Sequence, residues 1–146
     1  MAFTQNVNPT FVRQPNMGFT QITTGTGSSG SVTIYTGGSS NGTMVKGIIG
    51  VSNGTTSAFD VQWGVTNGGT FFVQGTSSVT VGSGSTSGII HTNFFANAPA
   101  LPKDSDGNQF FFLRSSVDTL TAKSPATSST WTTGATIILS AIVGDF

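Results

Sequence analysis

Between Phe59 and Val65 every odd position is apolar (Phe59, Val61, Trp63, Val65), and Asp60, Gln62 and Gly64 stand between them. A period of two describes a strand with one buried and one solvated face. Asn67-Gly68-Gly69 follows and tolerates the positive φ of a tight hairpin turn, so Thr70 to Gln74 is expected to fold back as the second arm.

The rest of the chain supplies elements of the same kind. Val32 to Thr36 alternates and ends in the turn-rich run Gly37 to Gly42; Met44 to Val51 forms the next strand and stops at Asn53-Gly54. Val79 to Val81 and Ile89 to Phe95 are further strands, ahead of a break at Pro99 and Pro102. After a turn at Lys103 to Asn108, Gln109 to Ser115 puts Phe110 and Phe112 on one face and Phe111 and Leu113 on the other. Aromatic residues on both faces call for burial on both. A sandwich strand covers only one face against its partner sheet, so the second needs another subunit or the N-terminal arm. Leu120 to Lys123 and Ala135 to Val143 complete the set, the last nearly all apolar as expected of a central strand.

Helix formers are scarce, Glu is absent, and Gly, Ser, Thr, Val, Ile and Phe dominate. Roughly seven to nine short strands, with turn signals about every eight to twelve residues, predict an all-β fold: a single antiparallel β-sandwich of jelly-roll or immunoglobulin-like type. The sandwich is expected over residues 32–146. Residues 1–31 show no sustained period and end in Thr23-Thr24-Gly25-Thr26-Gly27-Ser28-Ser29-Gly30-Ser31, which predicts an extended N-terminal arm and a Gly/Ser/Thr linker. Phe3, Phe11 and Phe19 are more than a merely solvated arm needs, so the arm is expected to dock.

The chain carries no Cys, one His, about 7% charged residues and zero formal net charge in 146 residues. Most catalysis and metal binding needs side chains that titrate or ligate, so a structural role is expected, with no enzyme activity and no cofactor. No Lys/Arg cluster offers a phosphate-tracking surface, which disfavours nucleic acid. No apolar stretch approaches the roughly 18 residues of a membrane span. The first residues lack a basic region followed by an apolar run, which predicts synthesis in a cytoplasm. Near-neutrality favours association.

Several motifs have simpler explanations. Gly38-Ser39-Ser40-Asn41-Gly42 fits G-x-S-x-G, but a strand follows where a nucleophile elbow at Ser40 needs a helix. Gly25-Thr26-Gly27-Ser28-Ser29-Gly30 fits G-x-G-x-x-G without the strand and helix that a pyrophosphate site requires. Asp104-Ser105-Asp106-Gly107-Asn108 starts like a calcium loop yet lacks the closing bidentate acid, so a turn accounts for it and a weak calcium site is the alternative. His91 reads as a hydrogen-bonded structural residue, a Ser-His-Asp triad being recognisable only by geometry. Asn41-Gly42-Thr43 and Asn53-Gly54-Thr55 are glycosylation sequons in form and Asn-Gly turns in context. Tyr35, Phe72 and Trp131 suit either a sugar-stacking platform or, more simply, a subunit interface.

The run from Met44 to Val61, with its Asn53-Gly54-Thr55 turn and Ala58-Phe59 strand start, then a hairpin, Phe110-Phe111-Phe112-Leu113 and Leu120-Thr121-Ala122, resembles small virion proteins of tailed bacteriophages. Those proteins place a later strand after a Gly-Asp turn, where this chain reads Asp106-Gly107-Asn108. The resemblance covers about residues 44–123, and the low-charge Gly/Ser/Thr-rich style is similar to marine cyanophage structural proteins. It implies a β-sandwich on the capsid exterior, most simply a decoration or cement protein binding the major capsid protein and copies of itself as a homo-oligomer. A neck, tail or fibre-attachment protein is the alternative, and a carbohydrate-binding module a further one. The residues expected at the partner interface are Phe3, Phe11, Phe19, Phe72, Phe110, Phe112 and Trp131.

Overall fold

The structure, a computed structural model, describes residues 14–23, 30–38, 41–54, 58–80, 91–98, 100–114, 116–124 and 135–146. Their strands are β1 (Gln14–Thr23), β2 (Val32–Thr36), β3 (Thr43–Asn53), β4 (Phe59–Asn67), β5 (Thr70–Val79), β6 (Thr92–Asn93), β7 (Phe111–Leu113), β8 (Asp118–Lys123) and β9 (Thr136–Asp145). Two antiparallel sheets pack face to face. One has the order β1-β9-β3-β6 with β7 also on β3; the other has the order β2-β8-β4-β5. β6 pairs with Ile49 and Gly50, and β7 with Thr43 to Val45, so the two act as one interrupted strand along the same edge of β3. Counted that way, the chain passes between the sheets in the order of a jelly roll, two interlocked Greek keys, and the expected β-sandwich is resolved to that type.

The expected hairpin is present. Gly68 and Gly69 have φ of 55° and 81°, the two consecutive positive values of a mirror-image turn, and Asn67 pairs with Thr70 across it. Phe59, Val61 and Trp63 point into the core. Trp63 is fully buried, with ring centroids 5.4 Å from Phe95 and 5.9 Å from Phe111. It lies over Gly75, where a Cβ would come within 2.8 Å of the indole, so the glycine across the strand pair makes room for the ring. β9 lies centrally, as expected, between β1 and β3.

Three expectations are corrected. The sandwich does not begin at residue 32: Gln14–Thr23, expected in the arm, is a full-length strand paired residue for residue with β9, and Ile22 is fully buried in the core. Its inward row, Asn16, Gly18 and Thr20 ahead of Ile22, hid it by being mostly non-apolar, and Gly18 faces β2 so closely that a side chain there would meet the Ile34 carbonyl. Ile89 to Phe95 is not one strand. Among its described residues only Thr92–Asn93 pairs, after which Phe94–Asn97 turns as a 3-10 helix, capped by the Asn93 side chain, which accepts from the Phe95 N–H at 3.0 Å, so both Phe94 and Phe95 enter the core. β5 also runs past Gln74 to Val79. Gln74 is an extra residue between the Trp63–Gly75 and Gly64–Val73 pairs, and this bulge breaks the alternation on which the shorter prediction rested. Residues 1–13 of the expected arm, most of the linker, and Val81, Ile89 and Ile90 lie outside the described residues.

Candidate functional site

Side chains directly opposite one another in a sheet share a face, so the register shows what each sheet presents outward. On β1, β9 and β3 the outer rows are Met17–Ile142–Gly47, Phe19–Ser140–Ile49 and Gln21–Ile138–Val51. A further row runs Pro15–Gly144–Met44 and continues to Phe112 on β7. Phe19 is 64% exposed, Phe112 55%, Met17 49%, and Ile138 and Ile142 43% each. Phe112 anchors a small aromatic group, edge-on to Phe110 at 5.4 Å and 5.8 Å from Phe146. The outer face of this sheet is therefore largely apolar, with Gln21 and Ser140 as polar members of its rows.

The other sheet differs. Its outer rows are Asp60–Ser78, Thr76–Gln62–Lys123, Gly64–Thr121–Thr33 and Thr66–Thr119. Hydroxyls and amides dominate, and the apolar exceptions, Phe71 and Val73, stand at the β5 edge. The Lys123 ammonium lies 5.4 Å from the Phe71 ring centre and partly screens it.

Two polar clusters brace the ends of the strands. Asp145 accepts from the Tyr35 hydroxyl at 2.6 Å and from the Thr43 hydroxyl at 2.5 Å; Asn16 donates to Tyr35 at 3.1 Å, and the Gly38 N–H donates to Thr43 at 2.7 Å. This joins β1, β2, β3 and β9. Burial, and then the neighbouring Asp145 carboxylate, push the Tyr35 hydroxyl above its ordinary pKa. At the second cluster the buried Asp118 carboxylate accepts from the Arg114 backbone N–H at 2.9 Å, from its guanidinium at 3.0 and 3.1 Å, and from the Asn67 amide at 2.8 Å. The Arg114 hydrogen bond is the main reason its pKa is held below the usual carboxylate range. Both clusters are saturated by partners within the protein, which suits bracing better than chemistry.

Asp104 likewise serves its own turn: it accepts from the backbone N–H of Asp106 at 3.0 Å and of Asn108 at 2.8 Å, and Asn108 foremost holds its pKa low. Among the described residues no three His, Cys, Asp or Glu side chains gather where a metal ion would need them. His91 is exposed beside an open groove of about 410 Å³ whose wall includes Lys46, Ile49, Asn93, Gln109 and Ile142, with no carboxylate among the described lining residues. No helix is long and apolar enough to cross a membrane among the described residues.

Of the residues expected at a partner interface, the structure brings Phe19 and Phe112 onto the outer face of the same sheet, with Phe110, just ahead of β7, half-buried against Phe112. Phe72 does not join them. It sits half-exposed on β5, the far edge of the opposite sheet. Nor does Phe72 form a platform with Tyr35: β2 and β5 are opposite edges of that sheet, about 14 Å apart at ~4.8 Å per strand spacing, and the Tyr35 hydroxyl is engaged. Phe3, Phe11 and Trp131 lie outside the described residues. Met17, Met44, Ile138 and Ile142 were missed, although β9 holds apolar residues at both parities, Ile137, Leu139, Ala141 and Val143 inward and Ile138 and Ile142 outward. That double parity was read as burial inside the molecule; the outward half is open. No protein-family model matches this chain and no curated protein sequence matches it, so its function is argued from these surfaces.

Proposed function

We propose that this protein is a virion structural protein of a tailed bacteriophage, a capsid decoration or cement protein that docks the apolar outer face of β1, β9, β3 and β7 on the outer capsid surface and spans junctions between major capsid subunits. The observation that carries the reading is the asymmetry between the two sheets: among the described residues five of the eight exposed large apolar side chains, Met17, Phe19, Phe112, Ile138 and Ile142, share one outer face, while the other face is largely hydroxyl and amide apart from Phe71 and Val73 at its β5 edge. A contiguous apolar face of this kind marks an interaction site. The resemblance of residues 44–123 to phage virion proteins supplies the partner, and a jelly roll suits a role that needs rigid shape and no chemistry, although the fold by itself does not assign function.

Magnitudes favour cement over tight single-site binding. Completing the burial of five half-exposed apolar side chains yields roughly 5 kcal/mol gross at about 1 kcal/mol each. Association costs at least ~4 kcal/mol in lost freedom, so one copy binds weakly and reinforcement comes from repetition over the lattice. Ile142→Lys, which places a charge at the centre of the face, is expected to abolish sedimentation of the purified protein with empty capsids, while Gln62→Lys on the opposite face leaves it intact. Equal binding by all three proteins defeats the proposal. Copy number in purified virions separates the alternatives: a count matching the capsid lattice supports decoration, and one matching the portal vertex or tail indicates a neck, tail or fibre-attachment protein.

A further inference from the structure

Asn-Gly occurs at Asn41-Gly42, Asn53-Gly54 and Asn67-Gly68, and in sequence the three pairs are equivalent. In each, glycine lacks the side chain that would shield its backbone nitrogen from the asparagine carboxamide. The structure separates them. Asn67 ends β4, a central strand, and pairs with Thr70 on one side and Asp118 on the other. Its side-chain amide donates to the buried Asp118 carboxylate at 2.8 Å, which fixes the group that would have to react. Asn41 is exposed, but Gly42 after it is buried and its carbonyl accepts from the Phe146 N–H at 3.2 Å, while Thr43 is fully buried and bonded to Asp145. Asn53 has neither restraint. It ends β3 with its side chain exposed, and among the described residues that side chain makes no hydrogen bond and the backbone pairs only with Thr136. Gly54 follows outside the strand at φ 69°, and a Cβ there would meet nothing closer than the Ala135 Cα at 3.8 Å.

We propose that Asn53-Gly54 is a site of spontaneous covalent modification in the folded protein. When the last residue of β3 frays, the Gly54 backbone nitrogen attacks Asn53 Cγ. The N–Cγ bond forms, the Cγ–Nδ2 bond breaks, and the proton of the Gly54 N–H leaves with the amide nitrogen as ammonia. Water then opens the cyclic imide at one of its two carbonyls, giving aspartate or, with the backbone rerouted through the side chain, isoaspartate. Nothing is oxidised or reduced, and water is the only co-reactant. Either product places a carboxylate where the amide stood and takes the formal net charge from zero to minus one. Its position matters. Register puts Asn53 in the row Thr23–Thr136–Asn53, next along the outer face to Gln21–Ile138–Val51, so the new charge stands about 7 Å along the strand from Val51. On the reading that this face docks on a capsid, the modified copy docks less well; the modification itself stands apart from that reading.

The test incubates the purified full chain, alone, at mildly alkaline pH in heavy-oxygen water. Peptide mass spectrometry follows the three sites, and an isoaspartate-specific methyltransferase identifies the rearranged product. Asn53 is expected to convert first, at least about tenfold faster than Asn41 and Asn67, whereas in denaturant the three convert at similar rates. Asn53→Gln, whose longer side chain closes the ring far more slowly, is expected to remove the early product without changing the melting temperature. Conversion of Asn41 or Asn67 as fast as Asn53 overturns the proposal, and so does an Asn53 that stays intact in the folded protein while reacting in denaturant. Asn53→Asp, one product in pure form, tests the consequence: it is expected to sediment with capsids more weakly than Asn53→Gln. Equal sedimentation of the two, with Asn53 still the first site to convert, overturns the effect on docking and leaves the modification in place.

Discussion

Trp63 and Gly75 form a pair that neither residue explains alone. The indole is fully buried between Phe95 and Phe111, and the missing Cβ of Gly75 gives its ring space on the facing strand. Gly75→Val is expected to cost about 2 kcal/mol or more through overpacking, read as a lower midpoint in denaturant unfolding with an unchanged slope. Asp118 sets the acid limit. Its folded pKa lies below the unfolded one, so its stabilisation is present above the ordinary carboxylate range and is lost as pH falls through the folded value. Asp118→Asn is expected to lower stability at neutral pH by about 2 kcal/mol and to flatten the loss of stability below about pH 4, measured by unfolding across a pH series. Tyr35 works in the opposite sense: its raised pKa makes its contribution full below the ordinary tyrosine value of about 10 and lost above it, so Tyr35→Phe flattens the alkaline limb.

At the scale of elements, β1 carries the most consequence. It closes one edge of the sheet, covers β9, and contributes Ile22 to the core. Removing residues 2–23 therefore strips β9 of a neighbour and is expected to yield unfolded or aggregated protein, read by circular dichroism and light scattering. The hairpin of β4 and β5 was legible because Asn67-Gly68-Gly69 declares its turn and the odd residues of β4 declare their face. β5 beyond Gln74 was not, because a one-residue bulge swaps the faces and makes a continuous strand read as a broken one. Asn93 had the same effect, its side chain capping a 3-10 turn where the apolar run suggested a strand.

Over the whole molecule, the decisive property is that two sheets of similar backbone have unlike outer faces. Single-charge substitutions scanned across both are expected to sort by sheet: loss of capsid association for Met17→Lys, Ile138→Lys and Ile142→Lys, and retention for Gln62→Lys and Thr76→Lys, with melting temperatures within a few degrees of the parent throughout. Half of the docking face was legible beforehand. Phe110 and Phe112 were picked out by alternation, and Phe19 as an unexplained aromatic, while Phe72 was grouped with them only because a sequence does not show which sheet an aromatic residue enters.

Composition and period two were enough to determine an all-β sandwich without disulfides, with a central final strand and more apolar surface than one core can bury. These are local matters, since alternation, turn chemistry and the absence of helix formers act within a few residues. Strand order, the jelly-roll crossings, the entry of β1 and the gathering of Met17, Phe19, Ile138, Ile142 and Phe112 on one face were decided by tertiary structure. The reason is that β1, β3, β7 and β9 come from distant parts of the chain. Register between them depends on side chains meeting across the sheet, and no stretch of sequence contains both partners.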